Sequence, residues 1–306
     1  MKKPRGQRSR WFALVWVIPI ALVVLGVVVF GAQWLRTLSG VQSFVSDNPG
    51  HVLPPVGPPQ GFPEWLRWSH IFNMLLILMI IRSGWHVRTT QRPAAYWTRN
   101  NKGLIRTKGR PTKVSLDLWL HLSLSALWAA TGLGFYVLLF TTGQWQRVVP
   151  VSWEHIPNAL SAALQYASLD WPLENGWVSY NSLQMIAYFV TIFIAAPLSI
   201  ITGIRMSGAW PKDAKINKVY RIELARAIHF PVMLYFVLFI IGHVTLVFAT
   251  GTLRNLNHMF AGSDDDTWAG FWFFAAALAL MAVLWVAARP IILRPIASLM
   301  GSVTKN

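Results

Sequence analysis

Apolar and polar positions along this chain come in long blocks, not at a short amphipathic period. Six blocks are almost wholly apolar: about Trp11–Leu35, Trp65–Trp85, Val114–Thr141, Tyr180–Met206, Leu224–Thr250 and Trp268–Ala288. A helix rises about 1.5 Å per residue, so some 20 apolar residues cross a hydrocarbon layer about 30 Å thick. The pattern therefore predicts an all-α, polytopic membrane bundle of six transmembrane helices. The first block follows basic residues, as a signal peptide would. Its apolar stretch is too long and lacks a small-residue cleavage site, so it reads as a retained helix. The polar intervals read as loops: 36–64, rich in Pro and Gly; a basic loop, 86–113; 142–178, with an amphipathic helix at Trp153–Leu169; 207–223; 251–266; and a short basic tail. No internal repeat is visible. The organisation expected is an N-terminal helix with its outer loop (1–64), a four-helix core (65–260) and a C-terminal helix with its tail (261–306).

Composition sharpens this picture. Of 306 residues, 54% are hydrophobic and only 12% charged, against about 25% charged in soluble domains. There is no cysteine, which excludes disulfides, thiolate-held iron–sulfur clusters and a cysteine-ligated haem. The formal charge of +16 follows from loops such as Arg88, Arg92, Arg99, Lys102, Arg106, Lys108, Arg110 and Lys113, and Lys212, Lys215, Lys218 and Arg221. This is the bias of cytoplasmic loops and gives no indication of nucleic-acid binding. With 86–113 and 207–223 inside, and 36–64, 142–179 and 251–267 outside, six crossings leave both termini in the cytoplasm. Seventeen Trp suit the lipid interfaces.

The candidate chemistry lies in histidines. Residues 226–248 form one apolar run that holds His229 and His243, fourteen positions apart. At about 100° and 1.5 Å per residue, they fall within about 40° of each other on one helix face and roughly 21 Å apart along it. His70 and His121 lie on other apolar blocks. Under the topology above, His70 and His243 sit about 8–10 Å below the outer face, and His121 and His229 about 8–10 Å from the inner one. Ionisable side chains inside a membrane are costly and mark functional sites, and imidazole is a haem-iron ligand. The arrangement suggests two haems, one above the other, held by His70/His243 and His121/His229. A lone intramembrane histidine is as readily explained by an interhelical hydrogen bond; two pairs at matching depths are not.

Other residues are weighed beside these. His86, sixteen positions after His70, points to the opposite helix face. His51, His155 and His258 fall in outer loops and suit interfacial hydrogen bonding; His258 is placed to touch a haem propionate or a quinone. Arg67 and Arg226, each one turn before a histidine, lie at the level of propionates, with snorkelling to headgroups the competing explanation. Asp117 suits local hydrogen bonding, proton transfer or simple interface placement. Gly132, Gly134 and Gly242 are candidates for close approach of a flat macrocycle.

Several stretches resemble one family. They are Arg67-Trp68-Ser69-His70-Ile71-Phe72-Asn73 closing with Ser83-Gly84; His121 near the start of the next helix; Tyr180-Asn181-Ser182-Leu183-Gln184 leading to Thr202-Gly203 and Met206-Ser207; and Ala225-Arg226-Ala227-Ile228-His229 with His243. The sequence is similar to the bacterial dihaem cytochrome b561/nickel-hydrogenase-type b subunits, which include membrane subunits of formate dehydrogenase, hydrogenase and thiosulfate reductase. The likeness covers about residues 65–260; the helices at 11–35 and 268–288 are additional to the smallest members.

The resemblance implies that His70, His121, His229 and His243 are axial ligands of two haem b. It also implies that electrons pass between a quinone and a hydrophilic oxidoreductase partner carrying molybdopterin or iron–sulfur centres. The chain itself would be an electron-transfer subunit with no catalytic residue: it shows no nucleotide loop, nucleophile motif or further metal constellation. Two alternatives stay open on the residues alone. One is a stand-alone membrane oxidoreductase acting on ferric chelates or superoxide, with the 142–178 loop supplying a pocket. The other is a non-redox transporter using the histidines for protons.

Overall fold

A computed structural model describes residues 10–52, 57–101, 111–171, 175–211 and 213–305, with side chains from residue 15. The basic segment 1–9, the Pro-rich 53–56, Lys102, Arg106, Lys108 and Arg110, and Lys212 lie outside the described residues. In chain order the helices are α1 (Arg10–Leu35), α2 (Ser39–Asp47), α3 (Glu64–Thr89), α4 (Leu116–Thr141), α5 (His155–Ala167), α6 (Ser182–Phe189), α7 (Ala196–Met206), α8 (Ile222–Ala249), α9 (Thr252–Leu256), α10 (Ala269–Ala287) and α11 (Pro290–Ser298). A π-helical segment, Val190–Ala195, joins α6 to α7, and another, Asn257–Ala261, follows α9. Among the described residues, six spans are long and apolar enough to cross a membrane: Val15–Leu35, Glu64–Thr89, Leu116–Thr141, Ser182–Met206, Ile222–Ala249 and Ala269–Ala287. The protein is a polytopic helical membrane bundle. Side chains such as Leu238 and Ile241, 69% and 58% exposed, need no protein cover because lipid tails are as apolar as they are.

The chain forms two compact units. One comprises residues 1–57, 146–175 and 179–188; the other comprises 58–145, 176–178 and 189–306. In the first, the ends of the loops are tied by polar contacts. Gly50 N–H donates to Asn158 Oδ1 (3.0 Å), Ser182 N–H donates to Gly50 O (2.9 Å), and His155 Nδ1 pairs with Ser182 Oγ (3.0 Å). Arg36 reaches both Ser168 Oγ (2.8 Å) and Asp170 Oδ2 (2.5 Å).

The second unit holds α3, α4, α7, α8 and α10. Ser115 caps α4, its Oγ accepting from Leu118 N–H at 3.1 Å, with Asp117 in the first turn. This fixes the helix that carries His121. Pro197 cannot donate to the turn before it, and the π segment lies just upstream. There the Ile192 carbonyl accepts from Tyr136 of α4. Midway along the bundle, Ile77, Ala195 and Phe236 pack with Trp128, Val232 and Tyr235. Trp128 meets Phe236 edge-on, and its Nε1–H donates to Asn73 Oδ1 at 2.7 Å.

Four expectations from the sequence are corrected. Residues 36–64 contain a helix, α2, because Val41, Phe44 and Val45 recur at helical spacing and are half-buried. The 86–113 interval holds the last turn of α3 and strand β1 (Ala95–Arg99), and β2 (Val114–Ser115) immediately precedes α4. The tail forms α11 and strand β3 (Gly301–Lys305), which completes an antiparallel sheet in the order β2-β1-β3. Trp97 faces Val114 on one side and Val303 on the other. A Cβ at Gly301 would lie 2.4 Å from Thr98 O, so only glycine lets the strands close there. The 251–266 interval is helical over Thr252–Ala261. The tail is anchored by Arg82→Ala288 O (3.0 Å), Trp97 Nε1→Ala297 O (3.0 Å) and Arg294→Ala94 O (2.9 Å).

Candidate functional site

Four membrane-span histidines meet in two pairs. His70 of α3 faces His243 of α8 with ring centroids 6.3 Å apart and ring planes at 59°. His121 of α4 faces His229 of α8, also at 6.3 Å, with planes at 83°. The common distance has chemical meaning. An imidazole nitrogen binds a transition metal at about 2.0–2.1 Å, and the ring centroid lies about 1.1 Å behind it. Two imidazoles sharing one iron therefore place their centroids about 6.3 Å apart.

The groups that touch the outer ring nitrogens support the same use. Nδ1 of His121 lies 3.1 Å from Ser83 Oγ and 3.2 Å from the Ile80 carbonyl. Nδ1 of His229 lies 2.8 Å from Thr202 Oγ1. With Nδ1 engaged, Nε2 is the nitrogen left for a metal, and such outer partners fix the tautomer and ring orientation. Each hydroxyl residue is followed by a glycine beneath the imidazole. A Cβ at Gly84 would lie 3.0 Å from His121 Cε1, and one at Gly203 3.6 Å from His229 Cε1. At the other pair, Nδ1 of His70, Nε of Arg67 and Nε1 of Trp65 are buried without hydrogen-bond partners. The unpaired buried Nε of Arg67 and Nε1 of Trp65, beside a ligand-type imidazole, are what a polar group of a bound cofactor would satisfy. The residues present fit haem at both pairs.

Phe239 stacks parallel to His243, 5.8 Å away at 4°, and Phe260 meets His70 edge-on at 5.9 Å. Phe236 lies seven residues from both His229 and His243, so the Phe236–Trp128 contact packs the level between the pairs.

The remaining residues singled out in the sequence are placed as follows. Arg67 has a side chain only 22% exposed, 3.8 Å from Glu64, and its guanidinium lies over Gly262. Gly262 has φ +74°, and a Cβ there would sit 2.6 Å from Arg67 Cζ. Arg226 and His51 are exposed, and His86 and Asp117 are half-buried. His155 is buried against Ser182, and its burial holds its pKa below the usual histidine value. His258, expected in an outer loop and in hydrogen bonding, lies in the π-helical segment Asn257–Ala261; it is buried, packed on Trp177 at 5.3 Å, and its Nε2–H donates to Asp264 at 2.7 Å. Asp264 also takes a bidentate pair from Arg254 at 2.7 and 3.1 Å. These bonds, Arg254 first and then His258, hold its carboxyl far below the usual carboxylate range. No protein side chain or neighbouring helix approaches a Cβ at Gly132, Gly134 or Gly242 within 4 Å. The glycines in contact with the imidazoles are Gly84 and Gly203. The sequence offered Ser83-Gly84 and Thr202-Gly203 as matching motifs without revealing which histidines they serve.

Comparison with known proteins gives a consistent picture. Residues 61–262 match the model of the prokaryotic cytochrome b561 family. The chain is 26% identical over 200 residues to the "putative protein-methionine-sulfoxide reductase subunit YedZ1" of Azospira oryzae, a match covering 60% of this chain and 88% of that protein. No solved structure matches. The family match spans about two thirds of the chain and all four paired histidines, and this protein belongs to the prokaryotic cytochrome b561 family of haem b-binding membrane proteins.

Proposed function

We propose that this protein is a dihaem cytochrome b of a bacterial inner membrane. On this reading it carries electrons between the quinone pool and a hydrophilic oxidoreductase partner with molybdopterin or iron–sulfur centres. The observation that carries the proposal is the presence of two imidazole pairs, each at the 6.3 Å separation that one iron requires. His70 and His243 would hold one haem b, and His121 and His229 the other, within a four-helix core at 65–260. Haem b held by two imidazoles supplies one-electron redox chemistry at an iron with no free coordination position, which suits electron transfer over substrate activation.

The chain's own residues prepare those sites. Helix α8 carries one histidine of each pair, so their separation is set by fourteen residues of continuous helix, roughly 21 Å. Phe236, Trp128, Ile77 and Ala195 fill the level between them and exclude water. Arg67, half-buried and with its buried Nε unpaired, would offer its guanidinium to a propionate of the His70/His243 haem. Arg226 would meet a propionate at the other site from its exposed position. A partner subunit is supported by the name of the Azospira oryzae relative, itself a reductase subunit. Both termini are placed in the cytoplasm because the basic loops alternate with neutral ones.

The test is pairwise. His70→Ala and His243→Ala should each remove one and the same redox component, and His121→Ala and His229→Ala the other. The double variant of His229 and His243 should lose both. Loss of the same component from His121→Ala and His243→Ala would refute the assignment.

A further inference from the structure

One imidazole pair, His121 and His229, has the outer nitrogen of each ring against a buried hydroxyl, and the contacts have a direction. Thr202 Oγ1 donates its one proton to a carbonyl of its own helix, Leu198 O at 2.6 Å or Ser199 O at 3.2 Å. Towards His229 it can therefore only accept, and the Nδ1 facing it at 2.8 Å must carry hydrogen. Ser83 Oγ likewise donates to Ile80 O at 3.0 Å. His121 Nδ1 faces both that oxygen and the Ile80 carbonyl, and a carbonyl only accepts. Both hydroxyls are almost fully buried, Ser83 and Thr202 each at 1% exposure. Nδ1 of His70, by contrast, is buried with no partner at all.

We propose that Thr202 and Ser83 are positioning residues that lock His229 and His121 in the Nδ1–H tautomer. They thereby lower the reduction potential at that pair alone. The inference rests on the reading of these histidines as haem ligands. An imidazole whose Nδ1–H is given to an acceptor is a more basic donor through Nε2. Greater donation favours the oxidised over the reduced metal, so removing the acceptor raises the potential. The effect is larger for Thr202, whose contact is shorter, 2.8 against 3.1 Å, and because the Ile80 carbonyl stays with His121 when Ser83 is changed.

The experiment is a spectroscopic redox titration of the purified full chain and of Thr202→Val, Thr202→Ser and Ser83→Ala, with haem counted per chain in each. Valine keeps the shape of threonine and removes the hydroxyl; serine keeps the hydroxyl. Thr202→Val should shift one ferric–ferrous equilibrium about tenfold towards the reduced form, a rise of about 59 mV for a one-electron couple. Ser83→Ala should raise the same component by less, and Thr202→Ser should stay at the parent value. The component that moves must be the one lost in His121→Ala and His229→Ala. Unchanged potentials in Thr202→Val with both haems retained, or movement of the other component, overturn the inference. If Thr202→Val loses haem, Thr202→Ser decides: loss there too makes the role of Thr202 steric and overturns it, whereas retention at the parent potential upholds it. A parent chain with fewer than two haems would instead overturn the ligand reading on which it rests.

Discussion

Substituting Gly84 by alanine adds one methyl group under the His121 ring, and the structure gives the size of the collision. The new Cβ would stand 3.0 Å from His121 Cε1, whereas the same change at Gly203 leaves 3.6 Å to His229 Cε1. The second distance is an ordinary contact; the first requires the imidazole to give way by a few tenths of an ångström. That ring cannot easily do so, because Ser83 and the Ile80 carbonyl hold its Nδ1. Overpacking of a fixed site costs about 1–3 kcal/mol, and about 1.4 kcal/mol is tenfold in affinity. Gly84→Ala should therefore weaken retention of one haem by about 5- to 140-fold. Each substitution also gains about 1 kcal/mol of helix propensity, which cancels in the comparison. The assay is haem titration into depleted, detergent-solubilised protein, followed at the absorption of the bound group. Gly203→Ala should bind nearly as the parent does. Equal loss in both variants, or loss from Gly84→Ala of the component that His70→Ala removes, would refute the packing argument.

Two further outcomes follow from the same structure. Asp264 has a depressed carboxyl pKa; a group depressed in the folded state contributes stability that is complete above its unfolded value of about 3.9 and is lost as pH falls below it. Thermal unfolding should thus drop on acidification from about pH 5 to pH 2, and Asp264→Asn should flatten that drop; an unaltered profile would count against the ion-pair network. In this cysteine-free chain, single cysteines at Asp266 and Ala209, both exposed, should differ towards an impermeant thiol reagent in intact cells. Asp266→Cys should label and Ala209→Cys should not, and the reverse would invert the proposed orientation.

The membrane spans were legible in the sequence because each rests on the length of an uninterrupted apolar block, a property local to the chain. The histidines that could share a level were legible for the same reason, since fourteen helical residues between His229 and His243 fix their face and spacing. The smaller elements were not. Strand β1 is defined by pairing with β3, two hundred residues on, and no local signal in Ala95–Arg99 discloses a partner so distant. The roles of Ser83 and Thr202 were hidden because hydroxyls in membrane helices commonly bond their own helix carbonyls. Both do so here, and only the packing of neighbouring helices shows that each also meets a histidine Nδ1. The burial of His258 was not legible because nothing nearby in sequence announces a π-helical turn or the packing of Trp177 over it.

The central claim is that two imidazole pairs hold two haem b in one chain. A pyridine haemochrome assay on purified, haem-replete protein, scaled to polypeptide concentration, tests it most directly. Two haem b per chain is the predicted result. One per chain, or none, would contradict the account whatever the activity of the preparation.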